Sequence, residues 1–335
     1  MLEVRDHHEK DLEIQLNSLL DELTEHTNSY AQPILKGEHI EMAIELRKAG
    51  LGLLGNMDGD EKAVACIEDT AVSIPNLANY INEFTAIMKS YGQRAVYYAH
   101  AGAGELHLRP ILNLKVGKDV KLFKQITHDV ARLVKKYKGS LSGEHGDGRL
   151  RAEFIQEMVG EKNYQLFIQV KKLFDPQEIF NPGKIVFAAP METSLRYVPD
   201  RKEPEIKTIQ DFSDTNGILR AIEKCNGTGD CRKSIEAGGT MCPSYRATKN
   251  EKDTTRGRAN VLREFLTQSE KPNQFNHEEI KEVLDLCLSC KGCKSECPSN
   301  VDMASYKAEF LYQYQKENGF SFRNKLFAHN NKANQ

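Results

Sequence analysis

The sequence predicts two unlike parts: a first part of mixed strands and helices, α+β or α/β, and a second part of short helices and cysteine-bearing turns. Apolar runs and amphipathic stretches alternate up to about residue 187. Prolines and charges then interrupt the periodicity, and seven of the eight cysteines follow between residues 225 and 297. We therefore predict a first domain over residues 1–190, a linker over 191–212 and a cysteine-rich domain over 213–335.

The elements of the first part follow from periodicity. Leucines spaced by three and four predict an amphipathic helix over residues 6–26, and a second helix follows at about 38–49. The apolar run over 63–67 predicts a buried strand in which Cys66 is a small buried hydrophobic residue. Pro75 favours the first turn of a helix that reaches about residue 91. Strands over 95–98 and 105–108, joined by glycine-rich chain, precede helices over 119–137 and 162–174.

Composition excludes several function classes. The 335 residues carry 46 lysines and arginines against 48 acidic residues, so no strong field of either sign indicates a nucleic acid or anionic lipid as partner. No stretch approaches the ~18 apolar residues of a membrane span, and the first ten residues are charged where a signal peptide is apolar. We expect a cytoplasmic protein, with a peripheral position at the inner membrane as the alternative.

The cysteine run CLSCKGCKSECP at residues 287–298 has the spacing of a bacterial ferredoxin, in which three close thiolates hold one cluster and the fourth reaches a neighbouring cluster. The other half of such a pair here ends in Cys242-Pro243. A zinc site with four cysteines is the alternative, but zinc sites seldom combine two overlapping Cys-x2-Cys steps with Cys-Pro. The predicted ligands of a [4Fe-4S] cluster are Cys242, Cys287, Cys290 and Cys293.

A second cluster would lack one of its four cysteine ligands. The segment CNGTGDC at residues 225–231 keeps two cysteines of the run but places Thr228 between them. The remaining ligands would be Cys225, Cys231 and Cys297. Three thiolates suit a three-iron cluster or a four-iron cluster with a non-cysteine ligand such as Asp230, and structural cysteines without a cluster are the alternative.

The first part carries a set of histidines and carboxylates. His100 and His107 would lie on opposite faces of a regular strand, unless Gly102 and Gly104 turn the backbone between them. With Glu144 they would form a three-ligand site with an open position, as a catalytic divalent metal such as zinc requires. Hydrogen-bonded loop histidines without a metal are the alternative. A substrate carboxylate could be paired by one of four nearby cations, Arg47, Arg109, Arg149 and Arg151.

The segment GLGLLG at residues 50–55 fits the glycine pattern of dinucleotide-binding loops. It follows a helical pattern instead of a strand, however, and it leads into a turn instead of a helix. We therefore do not predict a dinucleotide-binding fold from it.

Three segments, taken in order, resemble the C-terminal half of FAD-linked 2-hydroxyacid dehydrogenases of the vanillyl-alcohol-oxidase flavoprotein superfamily. They are HAGAGELHLRP at residues 100–110, SGEHGDGR at 142–149 and NPGK at 181–184. Downstream, CNGTGDCR, GTMCPSYRATKNE and TRGRANVLRE resemble the iron–sulphur half of large bacterial FAD- and iron–sulphur-binding oxidoreductases. The resemblance covers residues 43–311.

The resemblance implies an α+β fold in which an FAD-linked oxidase C-terminal (cap) domain, with a mainly antiparallel sheet and helices, precedes an all-α ferredoxin-like domain. It implies an FAD-dependent dehydrogenase that oxidises a small D-2-hydroxy acid of the D-lactate, glycolate or D-2-hydroxyglutarate type. Electrons would pass from FAD through [4Fe-4S] to a quinone or protein acceptor.

Carried over by position, the resemblance makes His145 the catalytic base. The family mechanism also implies an arginine that orients the substrate carboxylate, and Arg109 and Arg47 are the candidates for it. Glu105 and Arg109 stand where many relatives carry asparagine, which favours direct recognition of the substrate by this polar set as the alternative to a metal. The metal or substrate-positioning set would be His100, His107 and Glu144, and the residues near the flavin would be Glu68, Asp69, Asn181 and Lys184.

Relatives hold FAD mainly by an N-terminal pyrophosphate-binding domain, and no such segment precedes Met1. We therefore expect a fragment or one subunit of a split enzyme, inactive alone, with a separate FAD-binding domain or subunit as its partner. The alternative is a non-enzymatic iron–sulphur electron-transfer subunit that docks on a separate flavoprotein.

Overall fold

In the computed structural model, which describes residues 1–333, four strands of the described chain form one antiparallel sheet. They are β1 (Lys62–Ala63), β2 (Ile67–Ala71), β3 (Ala95–His100) and β4 (Glu105–Leu112). The central strand is β4. It pairs with β3 along one edge, and on its other edge with β1 near Leu112 and with β2 near Leu106. Together with the helices below, this sheet makes the fold α+β, as predicted.

The sides of β4 alternate in chemistry, as the period of a strand requires. Leu106, Leu108 and Leu112 are buried in one apolar core, to which the helices that cover the sheet also contribute. Glu105, His107 and Arg109 occupy the alternate positions and therefore point to the opposite face. One strand thus anchors the core with one side and presents ionisable groups with the other.

The helices lie close to their predicted positions. The backbone divides into a first unit over Met1–Gly50 and a second that begins at Leu51. The first unit contains α1 (Glu9–His26) and most of α2 (Glu38–Leu53). In the second unit, Pro75 lies in a short 3-10 turn directly before the next helix. The helices that follow are α3 (Leu77–Ser90), α4 (Gly117–Lys136), α5 (Ile155–Val159) and α6 (Glu161–Phe174).

The strand predicted over residues 63–67 is wrong. The chain pairs with β4 at Ala63, leaves the sheet through Val64–Cys66 and pairs again from Ile67. Cys66 is completely buried, as predicted, but it lies in a turn. Within the run only Cys66 and Ile67 are buried, and a short apolar run alone does not distinguish a strand from a turn.

The cysteine-rich part is helical and has its own apolar core, which includes Ile222, Leu262 and Phe310. None of the described helices is both long and apolar enough to cross a membrane. The helices are α7 (Ile218–Glu223), α8 (Pro243–Thr248), α9 (Thr255–Gln268), α10 (Glu278–Asp285), α11 (Gly292–Glu296), α12 (Met303–Asn318), α13 (Phe322–Ala328) and α14 (Asn330–Ala333). We call residues 51–190 the sheet part and residues 213–333 the cysteine part.

A charged network joins these two parts. The ammonium group of Lys115, just after β4, lies 3.2 Å from Asp60 Oδ1 and 2.7 Å from Glu223 Oε2 in the cysteine part. It also lies 2.6 Å from Glu203 Oε1, in the segment between the parts. Arg220 of α7 reaches back to Asp60, with Nη2 2.6 Å from Oδ2. Burial raises the pKa of the Glu223 carboxyl, and the nearby Lys115 opposes that shift.

Candidate functional site

The turn between β3 and β4 brings two histidines together. His100 ends β3 opposite Glu105, and a 3-10 turn over Ala101–Ala103 leads into Gly104. Gly104 has φ +72°, and a Cβ there would lie 2.0 Å from the carbonyl oxygen of Val72, so the turn requires glycine. The rings of His100 and His107 consequently lie with centroids 5.2 Å apart.

Tyr98 belongs to the same face of the sheet. It pairs with His107 across the β3–β4 ladder, and its ring centroid lies 5.3 Å from that of His107 and 6.0 Å from that of His100. Sequence reasoning missed this residue. Its position two residues before His100 was the available signal, since alternate residues of a strand share a face.

A loop over residues 142–149 brings Glu144 and His145 to the sheet, and Asp69 holds it there. Asp69 is completely buried, and its carboxylate accepts hydrogen bonds from the Ser142 hydroxyl (2.6 Å) and from the backbone amides of Glu144 (2.7 Å) and His145 (2.8 Å). Its own carbonyl accepts a further bond from the Gly143 amide at 2.7 Å. Asp69 therefore positions the loop, and its place near the flavin stays a prediction.

Asp69 and Glu105 have opposite pKa shifts. Burial opposes ionisation of Asp69, but hydrogen bonds from Glu105, Ser142 and the loop amides hold its pKa below its usual range. Burial and the hydrogen bond to Asp69, together with the charge of Glu144, raise the pKa of Glu105 to about 7. Glu105 therefore takes up a proton more readily than Asp69 does.

Glu144 and His145 form the open side of the site. His145 Nε2 lies 3.3 Å from Glu144 Oε1, and His100 Nε2 lies 3.7 Å from the same oxygen. The His145 ring stacks on that of His107 with centroids 5.5 Å apart. About half of each of the Glu144 and His145 side chains is exposed, whereas His107 is buried. A small molecule can therefore reach His145 from solvent while His107 forms the floor.

Arg109 is occupied by a neighbouring carboxylate. Its Nε donates to Glu68 Oε2 at 2.6 Å, and its Nη2 donates to Glu68 Oε1. The same oxygen lies 3.4 Å from His107 Nδ1, but the two atoms do not form a hydrogen bond. The Arg109–Glu68 pair thus fixes a carboxylate beside His107.

The donor set suits a divalent metal ion. Two groups of three donor atoms, each within 4.8 Å of one another, share His107. The buried Nδ1 of His107 makes no hydrogen bond to the described residues, as expected of a nitrogen kept for another partner. Two histidines and one carboxylate form a common catalytic zinc site. The groups are His100, His107 and Glu144, and Glu68, His107 and His145.

The remaining predicted residues lie on other segments of the chain. Arg47 lies on α2 in the first unit. Asn181 lies in the exposed loop after α6 with φ +55°. Lys184 lines a shallow pocket with Arg149 and Phe187, and none of the clustered histidines lines that pocket. Sequence reasoning also missed the part played by Ser142, whose only signal is its place at the start of the loop.

The cysteines fall into the two groups that the ferredoxin spacing predicts. One pocket is lined by Cys242, Cys287, Cys290 and Cys293. Burial raises the pKa of the Cys293 thiol to about 11, and Cys287 and Cys242 add to the shift because they are close. In the other group, burial raises the thiol pKa values of Cys225 and Cys231, and Cys297 lies close enough to Cys225 to act on it.

The spacing of the sulphur atoms bears on the zinc alternative. A single zinc ion with four thiolates at about 2.3 Å holds its ligand atoms close together. Among the described residues, no three cysteine sulphurs lie within 4.8 Å of one another. A cluster in which each thiolate binds a different iron separates the sulphurs further, so both cysteine groups suit a polynuclear cluster better than one zinc ion.

Two family models match separate stretches of the chain. The family described as FAD linked oxidases, C-terminal domain, matches residues 1–185, and the 4Fe-4S dicluster domain matches residues 224–302. A D-2-hydroxyglutarate dehydrogenase of Haemophilus influenzae is 33% identical in an alignment that covers 88% of this chain and 32% of that protein. One of Escherichia coli is 34% identical and covers 82% of this chain and 30% of that protein.

A D-lactate dehydrogenase of Archaeoglobus fulgidus is 32% identical over 129 residues, 38% of this chain and 28% of that protein. The chain spans about a third of the length of the curated relatives that it matches along most of its sequence.

Proposed function

The chain belongs to the family of FAD linked oxidases, C-terminal domain, and from this premise we propose that it is part of a flavin- and iron–sulphur-dependent dehydrogenase that oxidises a D-2-hydroxy acid. The observation that carries the proposal is the half-open cluster of histidines and Glu144 on a sheet that is joined to a dicluster domain. The relatives named D-2-hydroxyglutarate dehydrogenase and D-lactate dehydrogenase favour this substrate class.

His145 is the proposed base for the substrate hydroxyl. It is half-exposed, so a hydroxyl can approach its ring. The Glu144 carboxylate 3.3 Å away would stabilise the imidazolium that forms when His145 takes the proton. FAD, when bound, accepts a hydride from the carbon that carries the hydroxyl. We keep Glu68, Asp69, Asn181 and Lys184 as the proposed residues near the flavin.

The proposed metal ligands are His100, His107 and Glu144. The alternative group would use Glu68, which Arg109 already holds by two hydrogen bonds, and would consume His145. With the first group, His145 stays available for proton transfer, and Glu68 stays paired with Arg109 beside His107. A divalent ion at this site would supply Lewis acidity that favours the alkoxide of the substrate.

Arg109 has a different role in this arrangement. Only 11% of its side chain is exposed, and its guanidinium is committed to Glu68. We therefore propose that Arg109 fixes Glu68 beside His107. Three further points remain predictions. They are the binding of the substrate carboxylate by Arg109 or Arg47, the use of a quinone or protein as electron acceptor, and a separate FAD-binding partner.

The metal site can be tested on the full chain after its cysteines are filled with iron and sulphide. Mn²⁺ is the suitable probe, because it prefers nitrogen and oxygen ligands to thiolates. We expect one bound Mn²⁺ in EPR titrations of the unmodified chain, loss of that ion in His107→Ala and retention in His128→Ala. His128 is the matched control because it is a half-exposed histidine paired with Glu157, outside the cluster. Equal binding by both variants would refute the site.

The substrate class is tested in the same samples. D-lactate and D-2-hydroxyglutarate should bind more tightly with Mn²⁺ present and should perturb its EPR spectrum. Once the flavin-binding part is supplied, His145→Ala should slow flavin reduction by roughly 10²-fold or more in stopped flow, the scale of a lost general base. An unchanged rate would remove His145 from the mechanism.

A further inference from the structure

The chain next to Cys297 packs directly against the sheet part. The carbonyl oxygen of Pro298 accepts a hydrogen bond from Asn56 Nδ2 at 2.9 Å, and Ser299 Oγ donates to the carbonyl of Gly52 at 3.3 Å. Ser299 is completely buried. A Cβ added to Gly52 would lie 2.1 Å from Pro298 Cβ, so only glycine permits the proline ring to pack this close to the backbone at position 52.

The chain next to Cys225 lies against the same segment. A Cβ added to Gly55 would lie 3.1 Å from the carbonyl oxygen of Lys224. Arg196, from the segment between the parts, donates from Nη1 to the carbonyl of Cys225 at 2.8 Å. Two of the three ligands of this group are therefore held at the contact between the sheet part and the cysteine part.

The group of four cysteines has different neighbours. Cys242 and Cys287 are hydrogen-bonded, among the described residues, to groups of the cysteine part: Arg258 Nη1 lies 3.5 Å from Cys242 Sγ, and Lys307 Nζ lies 2.7 Å from the Cys287 carbonyl. Cys290 is exposed, and the adjacent Leu288 is 71% exposed. Cys242 and Cys293 are buried, so this group reaches the surface at Cys290.

We propose that electrons arrive in the cysteine part at the cluster of Cys225, Cys231 and Cys297, and leave from the cluster of Cys242, Cys287, Cys290 and Cys293. The proposal rests on the proposed function, in which a reduced flavin is the donor. Each electron reduces one ferric iron of the first cluster to ferrous, and that iron is reoxidised as the second cluster is reduced. A one-electron acceptor at the Cys290 surface then reoxidises the second cluster. Two such passages carry the two electrons of one hydride.

The order can be tested by photoreduction of the full chain with both clusters loaded. A ruthenium photosensitiser is attached through Asp58→Cys, an exposed site beside the Gly52–Asn56 contact. A second sample carries it through Glu282→Cys, an exposed site on α10 close in sequence to Cys287. The other free cysteine, Cys66, is completely buried and does not react. Rapid-freeze EPR after a flash records which cluster is reduced first.

We expect the three-thiolate cluster to be reduced first from position 58 and the four-thiolate cluster first from position 282. Cys225→Ser should abolish the rapid reduction from position 58 and leave that from position 282 unchanged. Direct reduction of the four-thiolate cluster from position 58 would overturn the order, and the chain labelled through Asp58→Cys suffices for that result if Cys225→Ser does not fold. A Mössbauer spectrum of one four-iron cluster only would overturn the relay while leaving the hydroxy-acid site untouched.

Discussion

At the scale of single residues, Asp69 holds the loop over residues 142–149 in place. One buried carboxylate receives the Ser142 hydroxyl and two loop amides, and so fixes where Glu144 and His145 lie. Asp69→Asn removes the charge that strengthens these bonds. We expect the free energy of unfolding in urea to fall by about 1.5–3 kcal/mol, the range for hydrogen bonds to a charged group.

Asp58→Asn is the matched control for that change, because Asp58 is an exposed aspartate of the same part. It should alter the free energy of unfolding by less than about 0.5 kcal/mol. If both variants unfold alike, Asp69 does not hold the loop.

The sequence predicted the histidines and Glu144, because histidine and carboxylate side chains that flank glycine turns can converge on one ligand. It did not predict that Asp69 and Glu105 lie close enough to shift each other's pKa. Those residues are 36 positions apart, and the Ala71–Glu105 pairing brings them together. Nor did it predict that Arg109 is bound to Glu68, since a pattern of charges does not tell which cation is already paired.

At the scale of secondary-structure elements, the end of α2 depends on one small residue. Gly52→Ala places a methyl group against Pro298, and overpacking of this kind costs about 1–3 kcal/mol. We expect a lower free energy of unfolding and slower reduction of the three-thiolate cluster from a photosensitiser at position 58.

Gly50→Ala provides the comparison in the same helix. A Cβ at position 50 would meet no atom within 4 Å, and alanine favours a helix by about 1 kcal/mol over glycine. This variant should be as stable as the unmodified chain or more so. A Gly52→Ala protein that gains stability as Gly50→Ala does would argue against a tight contact with Pro298.

The helices were predicted to within a few residues because their apolar faces repeat strongly. The turn at Val64–Cys66 was not predicted. It connects β1 and β2, which pair with different stretches of β4, and that pairing is not visible in the local sequence. The packing of Gly52 against Pro298 and of Gly55 against Ser299 could not be predicted, since these partners lie more than 240 positions apart in the sequence.

At the scale of the whole molecule, Lys115 is the cation that three carboxylates from different segments share. Lys115→Met leaves Glu223 buried without that partner. We expect a loss of about 3 kcal/mol, the lower end for a broken buried pair, because the network is partly exposed. Calorimetry should then resolve separate unfolding of the sheet part and the cysteine part.

Lys136→Met is the control for the network. Lys136 pairs with Glu83 on the surface, where an ion pair contributes about 0–1 kcal/mol. A single unfolding transition in both variants would show that Lys115 does not join the two parts.

The central strand β4 has a final consequence. It is hydrogen-bonded on both edges. It separates the histidines near its first residues from the Lys115 network that follows its last residue. From His107 to Leu112 it extends about 17 Å. In the proposed relay, the distance between the histidine site and the cysteine part is therefore fixed by the folded chain and does not depend on a collision between two molecules. Transfer inside the molecule should be independent of protein concentration and of solvent viscosity, whereas delivery to an outside acceptor should depend on both.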